Sequence, residues 1–552
     1  MKITQISTVD IKGGAAKAAY RLHKGLIYIG QESVFLTLQK SSSDETVINL
    51  ASLCEAEDRD VDLAKIQQYY LNQNRTSISN TLFSLPYPGL DLSQLAQVVN
   101  SDIINLHWIA RFQSLTTLKK LLDLNKPLVW TLHDMWAFTG GCHYSSGCQE
   151  YEKACAVCPQ LQRDSYDLTS AILKDKLELL NNPNLVIVTP SKWLAECSQK
   201  SQLFKHCRIE IIPYGLETNI FAPSSKAEAK KLLNIDSDTV TLLVGADEGN
   251  EQRKGFTELL RALQLCNEQL QKLIQTNKII LLSFGNPNYQ LQKLAIPLLN
   301  FGQIQDETRL AQIYSAADIF LLPSLEDNFP NTMLEAMSCG TPVVAFQVGG
   351  IPDLVEDRIT GRIIPGIDIA KMAEAILELV FTRNLAQEMG KNSREKIEAN
   401  YSLATQAQCY LELYQDLLKG KSYIDSDLES SSARSVPLDL TLGPNFGKIV
   451  YQVALQASRK ETEEVEGVLS STQTQLTELQ QFHTELQQAY TELGQAKETV
   501  ETELNNLQIE LEKTQRELGQ LEETIYAMTT SKFWKIRELW FKLKGFLGYA
   551  RG

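Results

Sequence analysis

At 552 residues, with 43% hydrophobic and 22% charged side chains, the chain is too long for one core and has the composition of folded globular protein, so about three or four structural units are expected. The net charge of -14 speaks against nucleic acid as a partner, and it is concentrated: residues 461–528 carry 15 Glu against 3 Lys plus Arg, while the rest is nearly neutral. Ten cysteines are too sparse for a disulfide scaffold, MKITQISTVD enters a strand-like run without a signal peptide, and no stretch reaches the ~18 apolar residues of a membrane span; a cytoplasmic chain with reduced thiols is expected.

In chain order, β-type runs at Ile3–Val9, Ser33–Leu38, Ile103–Leu106, Leu128–Leu132, Leu185–Val188 and Ile209–Ile212 alternate with helical patterns, which predicts a parallel sheet covered by helices. The first run leads into Lys12-Gly13-Gly14-Ala15-Ala16, small residues that suit close approach of a ligand to backbone, although a tight turn alone needs the same glycines. His107 and Trp108 end the third run and either line an acceptor pocket or sit satisfied in the core. His133 and Asp134, in TLHDMWAFTGGCHY, end the fourth run, and a polar pair at a carboxyl strand end faces the ligand cleft of an open α/β sheet. Cys142, Cys148, Cys155 and Cys158 then form a C-x5-C-x6-C-x2-C cluster, which fits a tetrahedral structural zinc that braces a loop, or thiols left free or buried.

A second alternating series follows at Val240–Val244, Ile279–Phe284, Ile319–Leu322 and Val343–Phe346. Its first run ends in ADEGNEQRKGF, where the cations Arg253 and Lys254 suit a diphosphate, and its second ends in Gly285, another close-approach glycine. Leu310–Asp318 reads as an amphipathic helix that leads into LLPSLEDNFPNTMLEAMSCGTPVVAF, a strand, loop, short helix and strand. The helix starting after Pro330-Asn331 offers free N–H groups and a partial positive charge to an anion, with Asp327 and Glu335 on either side. Thr332-x-x-Glu335 also reads as a capping box, which would leave Glu335 a purely structural role.

Taken together, KGGAAKAA, TLHDMW, TPSKWL, IIPYGLETNIF, RKGF and PSLEDNFPNTMLEAMSCGTPVV resemble a retaining glycosyltransferase of family 4 over roughly residues 1–418. TLHDMWAFTGGCHY, followed by the cysteines and CPQL, is similar to a subgroup acting in exopolysaccharide or colanic-acid-type synthesis. The resemblance implies two Rossmann-like, doubly wound α/β domains facing a cleft (GT-B): 1–215 on the acceptor side, 216–395 on the nucleotide-sugar side, and 396–419 as a closing helix returning to the first domain. It implies a UDP- or GDP-sugar donor, a glycan or lipid-linked acceptor, and retention by front-face attack without a protein nucleophile.

The residue roles follow from the same resemblance. Asp327 and Glu335 fall on the family's E-x7-E pattern, with Asp in place of the first Glu and Glu326 beside it as a stand-in; Glu335 matches the ribose-holding residue. Arg253 and Lys254 match the basic pair on the diphosphate, where two cations make a catalytic metal unnecessary. Asn331 and Thr332 match the helix-start loop, Gly13 and Gly14 the loop of the first domain, and His133 a histidine beside the donor sugar in a positioning role. Tyr214 stands where the family usually has Asn. Two other readings remain: a nucleotide-sugar epimerase of the same architecture, and a scaffold whose transferase part has decayed.

Past residue 419, a polar segment, 420–447, reads as a mobile linker with too few apolar residues to pack. Over 448–530 a coiled coil is expected, because from Leu469 to Met528 14 of the 18 a and d positions are apolar; His483 and Lys497 at a positions favour a homodimer, and a lone surface helix is the alternative. Residues 531–552 hold six Lys plus Arg and one Glu, interleaved with Phe533, Trp534, Trp540, Phe541 and Phe546. Such a basic aromatic helix suits the anionic inner face of the cell membrane, or a partner protein.

Overall fold

The computed structural model describes residues 1–51, 68–69, 71–79, 81–162, 167–246, 251–286, 289–419, 436–530 and 532–546. They fall into two compact units, Met1–Lys460 and Glu461–Gly552.

The first unit is built on two parallel sheets. Strands β1 (Lys2–Val9), β2 (Glu32–Gln39), β3 (Val47–Asn49), β5 (Ile103–Leu106), β6 (Leu128–Thr131), β7 (Leu185–Thr189) and β8 (Arg208–Ile211) lie in the order β3-β2-β1-β5-β6-β7-β8; the two-residue β4 (Gly89–Leu90) lies apart. Every residue of β5, β6 and β7 is buried, as strands covered by helices on both faces require, and this is why they read as apolar runs in which only Asn105, Thr131 and Thr189 are polar. The second sheet contains β9 (Val240–Ala246), β10 (Ile279–Gly285), β11 (Leu298–Asn300), β12 (Ile319–Leu322), β13 (Val343–Phe346) and β14 (Gly361–Ile364), ordered β11-β10-β9-β12-β13-β14. Strand order reverses at β1/β5 in one sheet and at β9/β12 in the other, the positions where doubly wound sheets open a crevice at their carboxyl ends.

The two Rossmann-like sheets are joined by a returning helix, Leu403–Leu418, which follows the helix Arg383–Asn400 and packs on the first sheet. Tyr410 and Tyr414 are buried among Ile3, Leu22 and Val129, and their hydroxyls bond Thr131 Oγ1 at 2.9 Å and Asn105 Nδ2 at 2.9 Å. Helix Gly14–Tyr28 crosses it closely at Gly25, where a Cβ would stand 2.8 Å from the Leu403 carbonyl oxygen.

The segment expected to be a mobile linker divides differently. Residues 420–435 lie outside the described residues, but 436–447 is packed as a strap on the first domain. There β15 (Leu438–Asp439) pairs antiparallel with β4, Val436 and Phe446 are buried, and the Phe446 ring stacks on Tyr87 with centroids 5.0 Å apart. The Asp175 carboxylate accepts the backbone N–H groups of Asn445 at 2.8 Å and Phe446 at 3.0 Å. Few apolar residues suffice because they are placed singly in pockets and a buried carboxylate satisfies the turn.

A helix then runs from Val450 to Thr530, 81 residues, into the second unit, and Lys532–Phe546 forms another. All 14 apolar a and d side chains between Leu469 and Met528 are exposed along it. Among the described residues no helix is long and apolar enough to cross a membrane.

Candidate functional site

The carboxyl ends of β9 and β12 place the basic pair. Gln252–Lys254 form one turn of 3-10 helix, which Gly255 ends in the left-handed region at φ 67°. Only glycine fits there, because a Cβ would stand 1.8 Å from the Pro323 carbonyl oxygen. Leu325 N–H bonds the Arg253 carbonyl at 2.6 Å, so the loop after β9 is laced to the loop after β12. Lys254 Nζ consequently sits 2.7 Å, and Arg253 Nη1 3.4 Å, from Asp327 Oδ2. Burial pushes the Asp327 carboxyl up, but Lys254 and Arg253 outweigh it and hold the group below its ordinary range. Arg253 also lies over the Tyr144 ring at 4.4 Å, and its Nε and Nη1 are buried without a hydrogen-bond partner. Glu326, the sequence's stand-in, is engaged elsewhere: it accepts from Ser146 N–H at 3.0 Å, and burial raises its pKa.

The helix Asn331–Ser338 starts after Pro330 with no side-chain cap, so the capping box read from Thr332 and Glu335 does not form. Glu335 instead turns inward, 2% exposed, and accepts from Arg21 Nη2 at 3.0 Å and from Tyr314 OH at 3.1 Å. The helix start meets the glycine loop of the first domain, where Asn331 Nδ2 donates to the Gly14 carbonyl at 2.8 Å and Gly13 takes φ 87°. Gly285, at φ 79°, ends β10 at the same sheet edge and donates to Gly302 O at 2.7 Å. Residues 247–250 and 287–288 lie outside the described residues.

His133 lies at the end of β6 and is 8% exposed. Its Nδ1 is 2.7 Å from Tyr214 OH and its Nε2 3.1 Å from His107 Nδ1, while His107 Nε2 is 2.6 Å from Gln5 Oε1. An amide oxygen only accepts, which fixes the order: His107 carries its proton on Nε2, His133 carries one on Nε2, and Tyr214 donates to His133 Nδ1. Burial lowers both imidazoles, His133 to about 4, so the chain is neutral. His107 is thus satisfied in the core rather than lining an acceptor pocket. The His133 carbonyl accepts from Asn328 Nδ2 at 3.1 Å, another tie between the loops after β6 and β12.

Asp134 accepts from Trp108 Nε1 at 2.9 Å, His143 Nδ1 at 2.7 Å and Trp136 N–H at 2.9 Å. His143 Nε2 lies 3.0 Å from Ser84 Oγ, so Ser84, His143 and Asp134 are spaced like a nucleophilic triad. Ser84 is 0% exposed, however, and no substrate reaches it; the trio braces the loop after β6.

That loop carries the four cysteines, and all four line one cavity together with Thr139, Gly140 and Tyr151. Among the described residues there is no group of three or more His, Cys, Asp or Glu that could hold a metal ion. Within the cavity Cys155, Cys158 and Cys148 each act on the Cys142 thiol, though burial is the larger cause that raises Cys142 and pushes Cys155 up to about 12; Glu150 N–H lies 3.4 Å from Cys148 Sγ. The loop reaches the site through Tyr144 and Ser146 rather than through sulfur.

Sequence reasoning overlooked Tyr144, Tyr314 and above all Arg21. A signal existed for Arg21, since a charged residue three after Ala18 and one before Leu22 falls on the buried face of its helix.

Residues 225–396 match the family model described as glycosyl transferases group 1. Over 221 residues the chain is 31% identical to the D-inositol 3-phosphate glycosyltransferase of Mycobacteroides abscessus, covering 38% of this chain and 46% of that protein, about half its length. Over 438 residues it is 23% identical to the putative colanic acid biosynthesis glycosyl transferase WcaC of Escherichia coli, covering 76% of this chain and 100% of that one. The solved structure of Anabaena Alr3699/HepE in complex with UDP shares its fold with a TM-score of 0.51 at 15% identity, over 75% of this chain and 100% of that one. Two facing parallel sheets with this returning helix define a GT-B protein. The likeness to group 1 glycosyl transferases lies in residues 225–396, and the likeness to WcaC runs through 76% of the chain.

Proposed function

We propose that the chain moves a sugar from a UDP- or GDP-sugar to a glycan or lipid-linked acceptor, with retention of configuration, in surface polysaccharide synthesis. The observation that carries this reading is the pairing of Arg253 and Lys254 with Asp327, in the loop that leads into helix Asn331–Ser338, with Arg253 Nε buried and lacking a hydrogen-bond partner. A diphosphate entering there meets two cations and the free N–H groups of a helix start. Its oxygens take over Lys254 and release the Asp327 carboxylate to accept from hydroxyls of the donor sugar. As the anomeric C–O bond breaks, charge develops on the diphosphate, where Arg253 and Lys254 stabilise it. The acceptor hydroxyl oxygen bonds the anomeric carbon from the same face, and its proton passes to the departing phosphate oxygen. His133, with both ring nitrogens engaged, shapes the pocket and takes no proton.

Two names from the comparisons agree with this: the HepE structure holds UDP, and WcaC is described as acting in colanic acid biosynthesis. Lys254→Ala and Glu335→Ala should each abolish donor-dependent transfer in a radiolabelled-sugar assay. Full activity in both variants would exclude the reading.

The second unit supports a homodimer on the inner membrane surface. Its a and d residues are exposed along the long helix, as a seam awaiting another copy would be. Helix Lys532–Phe546 exposes Ile536, Leu539, Trp540 and Phe541 beside Lys535, Arg537 and Lys542, a composition that binds anionic lipid surfaces.

A further inference from the structure

Arg21 is the largest fully buried side chain of the first unit, and it lies outside every motif discussed above. It projects from helix Gly14–Tyr28 of the first domain, yet its charge is answered by carboxylates beyond that domain. Nε lies 2.8 Å from Glu217 Oε2, just after the last strand of the first sheet, and Nη2 lies 3.0 Å from Glu335 Oε1 and 3.4 Å from Glu307 Oε1. Nη1 is buried without a hydrogen-bond partner, and the guanidinium stands 5.3 Å from the Phe221 ring centroid.

Burial opposes the charge on Arg21, but Glu335, Glu217 and Glu307 more than restore it. One turn earlier on the same helix, Lys17 pairs with Glu307 at 3.2 Å. Three carboxylates therefore face two cations at this end of the cleft, which leaves a surplus of acceptors. Such a place suits hydroxyl donors rather than an anion, and it contrasts with the cationic pole at Arg253 and Lys254.

We infer that Arg21 is a positioning residue for the donor: it aims Glu335 at the ribose hydroxyls of the nucleotide, and it does so only while the first domain is seated against the second. This rests on the nucleotide-sugar reading of the site. Arg21 is 1% exposed and touches no substrate; it acts by fixing one oxygen of Glu335 while Tyr314 fixes the other. Ribose recognition thereby becomes a property of the assembled cleft, not of the second domain alone.

The test compares dissociation constants of UDP and GDP with those of their 2′,3′-dideoxy forms, and of inorganic pyrophosphate, on the full chain. The wild type should prefer one ribonucleotide over its dideoxy form by on the order of 10- to 100-fold, the range for hydrogen bonds to a charged group. Arg21→Lys keeps the charge but cannot fork between carboxylates, so it should bring that ratio close to one while leaving pyrophosphate binding unchanged. A wild-type ratio in Arg21→Lys overturns the inference, and so does a wild-type protein that binds nucleotide without discriminating the sugar. Should Arg21→Lys fail to fold, Glu307→Gln decides: relieved of one competitor, Arg21 keeps Glu335 and the ratio holds or rises, whereas its collapse overturns the role. A wild type that binds neither nucleotide refutes the donor reading itself, a result distinct from any of these.

Discussion

Tyr214 shows how a single departure from a family pattern is absorbed. Its hydroxyl is the donor that His133 Nδ1 requires, and the residue is buried, so it orders the imidazole without meeting substrate. Tyr214→Phe leaves that nitrogen buried and unpaired, which should cost about 1–3 kcal/mol of stability and lower the transfer rate. Thermal unfolding and initial rates check this; a variant equal to wild type in both would remove the role. The sequence reading marked Tyr214 as different but could not say what it touches, because its partner lies 81 positions away. Glu335 was read as a candidate site residue and stayed ambiguous, since the helix pattern also allowed a cap. Burial against Arg21 decided it, and burial across a domain boundary has no signature in local spacing. Asp327 was the weaker sequence assignment, yet it lies at the centre of the basic pair.

Among elements, the uniformly buried strands were read well and the shortest or mixed elements were not. β5, β12 and β13 begin and end where their β-type runs do, because strands buried on both faces are dominated by apolar residues. The three-residue strands β3 and β11 gave no period to detect. The strap at 436–447 was missed because a segment average dilutes Val436 and Phe446 among polar neighbours. For the helices of the second unit, removing 531–552 from the full chain should abolish flotation with phosphatidylglycerol vesicles while leaving dimeric mass in sedimentation equilibrium. Removing 461–552 should yield a monomer. Unchanged flotation in the first deletion, or an unchanged mass in the second, would reject the respective assignment.

For the whole molecule, acid should be the weak side. His133 and His23 are neutral in the fold, each held at about 4 against an ordinary 6.5, with burial as the main cause in both; His23 is enclosed by Ser33 Oγ and Thr46 Oγ1, each at 2.8 Å. Below about pH 6.5 the unfolded chain takes up protons that the folded chain refuses. The stability that both residues contribute is therefore full above that pH and is lost down to about pH 4, on the order of 3 kcal/mol each. Urea midpoints should accordingly fall steadily between pH 7 and pH 4.5; a flat profile would contradict the burial argument.

The cleft between the sheets is crossed by polar pairs: Asn331 with Gly14, Arg21 with Glu335, Asn328 with His133, and Ser146 with Glu326. Every one of these partners can be replaced by water. Beside them Ala18 and Tyr214 cluster with Phe329, so parting the sheets wets a mixed seam of polar pairs and a few apolar side chains. On the proposed function, the shut seam would keep solvent from a breaking glycosidic bond and the wetted seam would let the spent nucleotide leave, a balance between two states. Small-angle scattering should show that balance as a smaller radius of gyration when UDP or GDP is bound.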